Sequence, residues 1–260
     1  MNRHIFFVIF SLLLTHHLFG QVQNELMAVL KKKNLTVLRQ YTDRINHNTK
    51  NRKAGWEYIR DVTPGYQEGV YHMEEWVSNK NDLNTQTIYT FRVAFILAKE
   101  TICFYNLSVE KNHKVENNWV PYFETIDSFK DDSLYKLFKN EFKTLFQTVL
   151  DENDLFTHDL TYGKHCYRSG IPPEGRKQIE VFVQNKDKDS LLQWLHSPNT
   201  EKQVYAIDGL YQLKKQGISL TQKELQQIQF VTHKKGRVYT CQGCYIGSEN
   251  ISEITKEFKF

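Results

Sequence analysis

Thr85-Gln86-Thr87-Ile88-Tyr89-Thr90-Phe91-Arg92-Val93-Ala94-Phe95-Ile96-Leu97 has a period of two. Tyr89, Phe91, Val93, Phe95 and Leu97 face one way, and Ile88, Thr90, Arg92, Ala94 and Ile96 the other. Successive side chains alternate in this way only in a β-strand. The same period extends to both sides. Trp56 to Val62 and Gly69 to Val77 read as strands joined through Pro64-Gly65, a pair suited to a type II turn. Thr101 to Val109 alternates again through Cys103, Tyr105, Leu107 and Val109. Short connections make these four strands an antiparallel meander, one face of which must be covered. Residues 47–55 and 111–118 are polar and read as loops. Trp119-Val120-Pro121-Tyr122-Phe123 is apolar, but Pro121 confines it to an edge or an extended segment.

Helices flank the meander. From Val22 to about Asn46, Leu26, Val29, Leu30, Val37, Leu38, Tyr41 and Ile45 recur near 3.6-residue intervals, with Asn34-Leu35-Thr36 as a break. Asp131-Asp132-Ser133 caps a second helix whose apolar face is Leu134, Leu137, Phe138, Phe142, Leu145, Phe146, Val149 and Leu150. The fold class expected is therefore α+β, an antiparallel β-meander with flanking helices over residues 22–155. A small all-helical domain is expected over residues 160–245, followed by a tail, 246–260, that is either mobile or docks weakly. In that domain Ile179, Val181, Phe182 and Val183 suggest one helix, and Thr221 with Glu224 forms a capping box for the last.

Between them lies Leu191-Leu192-Gln193-Trp194-Leu195-His196-Ser197-Pro198-Asn199. The leucines give one helix an apolar face, Pro198 ends it, and Asn199 or Thr200 caps the next. The second helix would bury Val204, Ile207, Leu210, Tyr211 and Leu213. The Leu-Leu-x-x-Leu run, the Ser-Pro-Asn corner and Val204-Tyr205-Ala206-Ile207-Asp208-Gly209-Leu210 resemble one unit of a HEAT-type helical repeat, over about residues 188–214. The resemblance implies a surface-presenting scaffold, and one unit needs neighbours to bury its face. Gln203 stands where such repeats often carry arginine. The Tyr-Gly-x-x-Cys to Cys-x-Gly-Cys tail is also similar to uncharacterised secreted proteins, which implies no activity.

Met1 to Gly20 reads as a secretory signal peptide: Arg3 and His4, an apolar core from Ile5 to Leu14, then Leu18-Phe19-Gly20 before Gln21. The core is shorter than the ~20 residues that span a bilayer, and no later segment is long and apolar enough. A secreted or periplasmic location follows. Aromatic residues are plentiful, 17 Phe, 14 Tyr and 4 Trp, which argues for packed cores. Loss of Arg3 would lower the net charge from +4 by one, and the basic clusters Lys31–Lys33, Lys50–Lys53 and Lys234–Arg237 are scattered. That excludes a nucleic-acid-binding stripe.

No Gly-x-Ser-x-Gly, His-Glu-x-x-His, P-loop or Gly-x-Gly-x-x-Gly motif occurs. Asp151-Glu152-Asn153-Asp154 starts like a calcium loop, but Phe156 and Tyr162 stand where glycine and a carboxylate are needed. His72 and Glu74 share a strand face, where alternating polar residues are what the water-facing side requires. The Asn34, Asn106 and Asn250 triplets fit the glycosylation pattern as surface candidates only. His158, His165, Cys166, Cys241 and Cys244 make the one constellation that could hold zinc, as in a metal-dependent hydrolase. An exported chain, however, meets conditions in which thiols pair. A thioredoxin-like role for Cys241-Gln242-Gly243-Cys244 needs a strand before the motif and a helix after it, whereas this one is expected to follow a helix and lies near the C-terminus.

Cys103, inside a strand, is expected buried and unpaired. A bridge from Cys166 to Cys241 or Cys244 would close about 75 residues and contribute up to ~4 kcal/mol, whereas a Cys241–Cys244 bridge does little for the fold. The long-range clamp has the stronger physical reason, and it leaves one thiol over. The function expected is an exported, non-catalytic binding or scaffold protein for an unknown protein or ligand, without cofactor. The alternatives are the zinc hydrolase and a peptidase-inhibitor-like module, the latter because a helix followed by a meander also looks like the cystatin or nuclear-transport-factor arrangements.

Overall fold

The computed structural model describes residues 21–79, 82–157, 160–166, 168 and 170–260. The presumed signal peptide and His158 lie outside the described residues. Helix α1 runs to residue 30 and α2 spans Leu35–Asn48. Five strands follow: β1 (Arg52–Thr63), β2 (Tyr66–Asn79), β3 (Asp82–Ala98), β4 (Thr101–Val115) and β5 (Asn118–Lys130). They form one antiparallel sheet in sequence order. The α+β class and the meander are as the period of two requires. Gly65, at φ +79°, makes the β1–β2 turn as expected of Pro64-Gly65.

The meander is larger than its apolar runs indicate. Strand β1 starts at Arg52, inside the stretch read as a loop, and β4 and β5 reach Val115 and Asn118. Only Glu116 and Asn117 remain to turn the chain, with Glu116 at φ +54°. Polar residues sit in the facing ends of β4 and β5 because both faces there are exposed, so no apolar alternation marks them. The segment around Pro121 is the edge strand β5, where a residue without an N–H is tolerated.

The chain divides into two compact units. The first holds the chain to Gly55, His72–Val93 and Glu100–Phe129. Its core includes Val22, Leu26, Leu30, Leu38, Tyr41 and Ile45 from the helices and Phe91, Val93, Leu107 and Val109 from strands. Asn34 separates α1 from α2 by accepting a hydrogen bond from the Val37 N–H at 3.1 Å. Arg52 joins Glu25 of α1 (3.1 Å) to Glu75 of β2 (3.0 Å), and burial raises the Glu75 pKa against the pull of Arg52.

The second unit holds Trp56–Tyr71, Ala94–Lys99 and Lys130–Phe260. Here α3 (Asp132–Phe146) is capped by Asp131, whose side chain accepts from the Ser133 and Leu134 N–H groups. Its buried stripe is Tyr135, Phe138, Phe142 and Phe146. Leu137 and Val149, expected on that stripe, are exposed, Leu137 because it lies off the 3–4–4 spacing and Val149 because the helix has ended at a left-handed Gln147. Four helices follow: α4 (Glu174–Gln184), α5 (Lys188–Leu195), α6 (Thr200–Lys215) and α7 (Gln222–Thr232). Asn199 caps α6 and the Thr221–Glu224 box caps α7, as the sequence specifies. A Cβ on Gly209 would fall 2.4 Å from the Leu191 side chain, so glycine lets α5 and α6 approach.

The helical period gives no sign of the element that ends the unit. Strands β6 (Arg237–Gln242) and β7 (Tyr245–Asn250) form a hairpin, and α8 (Ile251–Thr255) follows. The tail expected to be mobile or to dock weakly is instead packed in: Val238, Ile251 and Ile254 join Val204 of α6 in a buried cluster against which Tyr162 packs. Six-residue strands with one buried face carry too few apolar residues to stand out in sequence.

Candidate functional site

The segment 162–166 lies beside β6. Tyr162 N–H donates to Tyr239 O at 2.7 Å, Cys241 N–H to Tyr162 O at 2.9 Å, and Gly243 N–H to His165 O at 3.0 Å. Cys166 and Cys241 then bond across this pairing, with Cα atoms 5.5 Å apart and a sequence separation of 75. Gly163 is demanded by the close approach: a Cβ there would fall 2.4 Å from Cys241 O and 2.8 Å from its Sγ.

Behind this contact lies a polar cluster built by α4 and α6. Gly163 N–H donates to Tyr205 Oη (3.1 Å), whose hydroxyl donates to Thr161 O (2.7 Å). Arg176 donates from Nε to Gly163 O (3.1 Å) and pairs through Nη1 with Asp208 (2.7 Å), which also accepts from the Tyr162 hydroxyl (3.2 Å). Burial pushes the Tyr205 hydroxyl up to about 12 and, with the Asp208 charge, raises Tyr162 too. Burial alone would lower Arg176, but Asp208 beside it more than reverses the effect. Both tyrosines stay protonated and donate hydrogen bonds. The cluster fixes the backbone of residues 161–163 and leaves Tyr162 and Gly163 facing a cavity of about 500 Å³.

Lys164, His165, Cys241 and Gly243 also line that cavity, and its rim carries Glu249, Glu253, Glu257 and Lys256. The Lys256 ammonium pairs with Glu253 at 2.5 Å. Three carboxylates face two ammonium groups, so the cavity carries an acidic surplus.

A second cluster lies wholly out of water. Arg60 donates from Nε to Glu68 (2.6 Å), from Nη1 to both oxygens of Glu201 (3.0 and 2.9 Å) and from Nη2 to Thr157 O (3.3 Å). Glu68 accepts further from Phe156 N–H and Glu201 from Tyr239 N–H. Lys234 is buried nearby, its Nζ donating to Gln203 Oε1 (2.8 Å) and Thr200 Oγ1 (3.3 Å), and burial followed by the Arg60 charge lowers it to about 7. This lattice ties β1, β2, α6 and β6 together.

Of the residues singled out from sequence, Cys166, Cys241, Cys244 and His165 come together, and Cys103 is buried. Cys166 and Cys241 spend their sulfurs on each other, and His165 Nδ1 meets Gly170 O at 3.0 Å. That leaves the zinc constellation without two of its five ligands. Among the described residues no group of three His, Cys, Asp or Glu side chains could hold a metal. His72 and Glu74 are half-buried on β2. Sequence reading missed Arg60, Glu68, Arg176, Glu201, Asp208 and Lys234. Arg60 had a signal: it shares strand parity with Trp56, Tyr58 and Val62, a charge on an apolar face. Comparison with protein-family profiles, characterised proteins and solved structures returns no match.

Proposed function

We propose that the chain is an exported, non-catalytic binding protein whose ligand sits in the cavity beside the Cys166–Cys241 disulfide. The observation that carries this is pre-organisation. The cavity floor, Tyr162, Gly163 and Cys241, is already held by the disulfide, the Gly163 contact and the Arg176–Asp208 cluster. A site ordered before binding loses little entropy on occupancy. The acidic surplus of Glu249, Glu253 and Glu257 over Lys164 and Lys256 favours a small polar ligand bearing positive charge. Export is supported by the apolar stretch Ile5–Leu14 and by the disulfide, which persists in oxidising compartments. No helix among the described residues is long and apolar enough to cross a membrane. The α5–α6 pair supports reading this part of the chain as a single repeat-like scaffold unit.

The test is calorimetric titration with a panel of diamines, basic dipeptides and neutral saccharides. Saturable binding of a cationic member, weakened at least about tenfold by Glu249→Lys with Glu257→Lys, is the expected outcome. Both glutamates are exposed, so the double variant keeps its fold. Binding that survives the charge reversal unchanged would remove the cavity from consideration.

A further inference from the structure

Three cysteines are gathered on the β6–β7 hairpin and the segment that lies beside it. Cys241 is bonded to Cys166, and Cys244, three residues on, is exposed with a free thiol. Gln242 pairs with Tyr245, so Gly243 and Cys244 are the two turn residues. Gly243 takes φ +57° and Cys244 does not, the pattern of a II′ hairpin, which puts Cys244 at the tip. Gly243 is bridged in parallel to Cys166 and bonded to His165 O. Cys244 is thus the chain neighbour of the residue lying alongside Cys166, and it follows the strand that carries Cys241. The disulfide itself is nearly buried, but Cys241 and Gly243 form part of the cavity wall.

We propose that Cys244 is the attacking thiol of an intramolecular thiol–disulfide exchange that moves the bridge from Cys166–Cys241 to Cys241–Cys244. The Cys244 thiol gives its proton to water, and the thiolate attacks Cys241 Sγ. The Cys244–Cys241 bond forms as the Cys241–Cys166 bond breaks, and Cys166 leaves as a thiolate that takes a proton from water. One disulfide and one thiol exist before and after, so no oxidant or reductant is consumed. The exchange opens the 75-residue loop and leaves Tyr162–Cys166 held to β6 by backbone hydrogen bonds and the packing of Tyr162, with no covalent tie. The extra thiol in the turn thereby makes the clamp reversible.

The experiment uses the full chain, held without reductant at about pH 8, where thiolate forms readily. Samples are quenched in acid, unfolded, labelled with a maleimide and mapped by peptide. Cys166 is expected to gain label with time, reaching at least about one-tenth of that on Cys244, alongside a Cys241–Cys244 linked peptide. In Cys244→Ser the Cys166 label disappears. In Cys166→Ser, with oxidised glutathione added as the two-electron oxidant and released reduced, the Cys241 and Cys244 thiols are expected to join. Label confined to Cys244 and Cys103 at every time, separate labelling of Cys241 and Cys244 in Cys166→Ser, or Cys244 bonded to a second copy would each overturn the proposal. No arm involves a cavity ligand, so its failure is distinct from failure of the binding reading.

Discussion

Lys234 is held out of water with two neutral acceptors, Gln203 and Thr200, and among the described residues no carboxylate pairs with it directly. Its folded pKa of about 7 lies below the ordinary 10.5, chiefly through burial. Below pH 7 the ammonium is charged in both folded and unfolded chains and its desolvation opposes folding in full. Between 7 and 10.5 the unfolded chain binds the extra proton, so stability rises with pH through that window. Above it the penalty is gone. Urea unfolding across pH 6 to 10 should show this rise, on the order of a few kcal/mol, and Lys234→Met should flatten it. A variant with the same slope as the parent chain would mean that Lys234 is solvated or directly paired. The residue reads in sequence as one more member of a basic surface cluster, because nothing local distinguishes a buried lysine from an exposed one.

Arg60 acts between elements. Its guanidinium, fully buried, holds Glu68 of β2 and Glu201 at the start of α6, and stacks over Tyr58 at 4.2 Å. Gly236 permits the packing, since a Cβ there would fall 2.4 Å from the Arg60 Cβ. Removing one partner from a buried ionic lattice strands the others without water, a cost of about 3–5 kcal/mol. Arg60→Met should therefore lower the denaturation midpoint strongly, and adding Glu68→Gln and Glu201→Gln should restore part of the loss. Equal instability of the single and triple variants would show that shape, not charge, is what Arg60 supplies. Arg60 shares strand parity with Trp56, Tyr58 and Val62, a signal that the sequence reading passed over. Its partners were illegible, being 8 and 141 residues away.

At the scale of the molecule, the Cys166–Cys241 bond, with a sequence separation of 75, gathers α4 to α7 between its ends. The chain-entropy model assigns such a loop up to ~4 kcal/mol. Cys166→Ala should cost about that much in urea unfolding, and Cys244→Ser should cost almost nothing, because its side chain is exposed at a turn. An equal loss from both would mean that the stabilising bridge involves Cys244.

What the sequence by itself determined is what local periodicity and caps encode: the meander centred on Thr85–Leu97, the break at Asn34, the cap at Asp131, the Ser197-Pro198-Asn199 corner and the Thr221–Glu224 box. Each depends on residues within a turn or two of one another, so the chain shows it directly. It also limited Cys166 to two long-range partners. Tertiary structure alone chose Cys241, because Gly163 lets the 162–166 segment lie against β6 and bring those two sulfurs together. It alone brought Arg176 to Asp208, placed the 246–260 tail in a core with Val204, and opened the cavity beside the clamp. Those contacts join residues tens of positions apart, and their energy comes from desolvation and close packing, which no local pattern of residue types records.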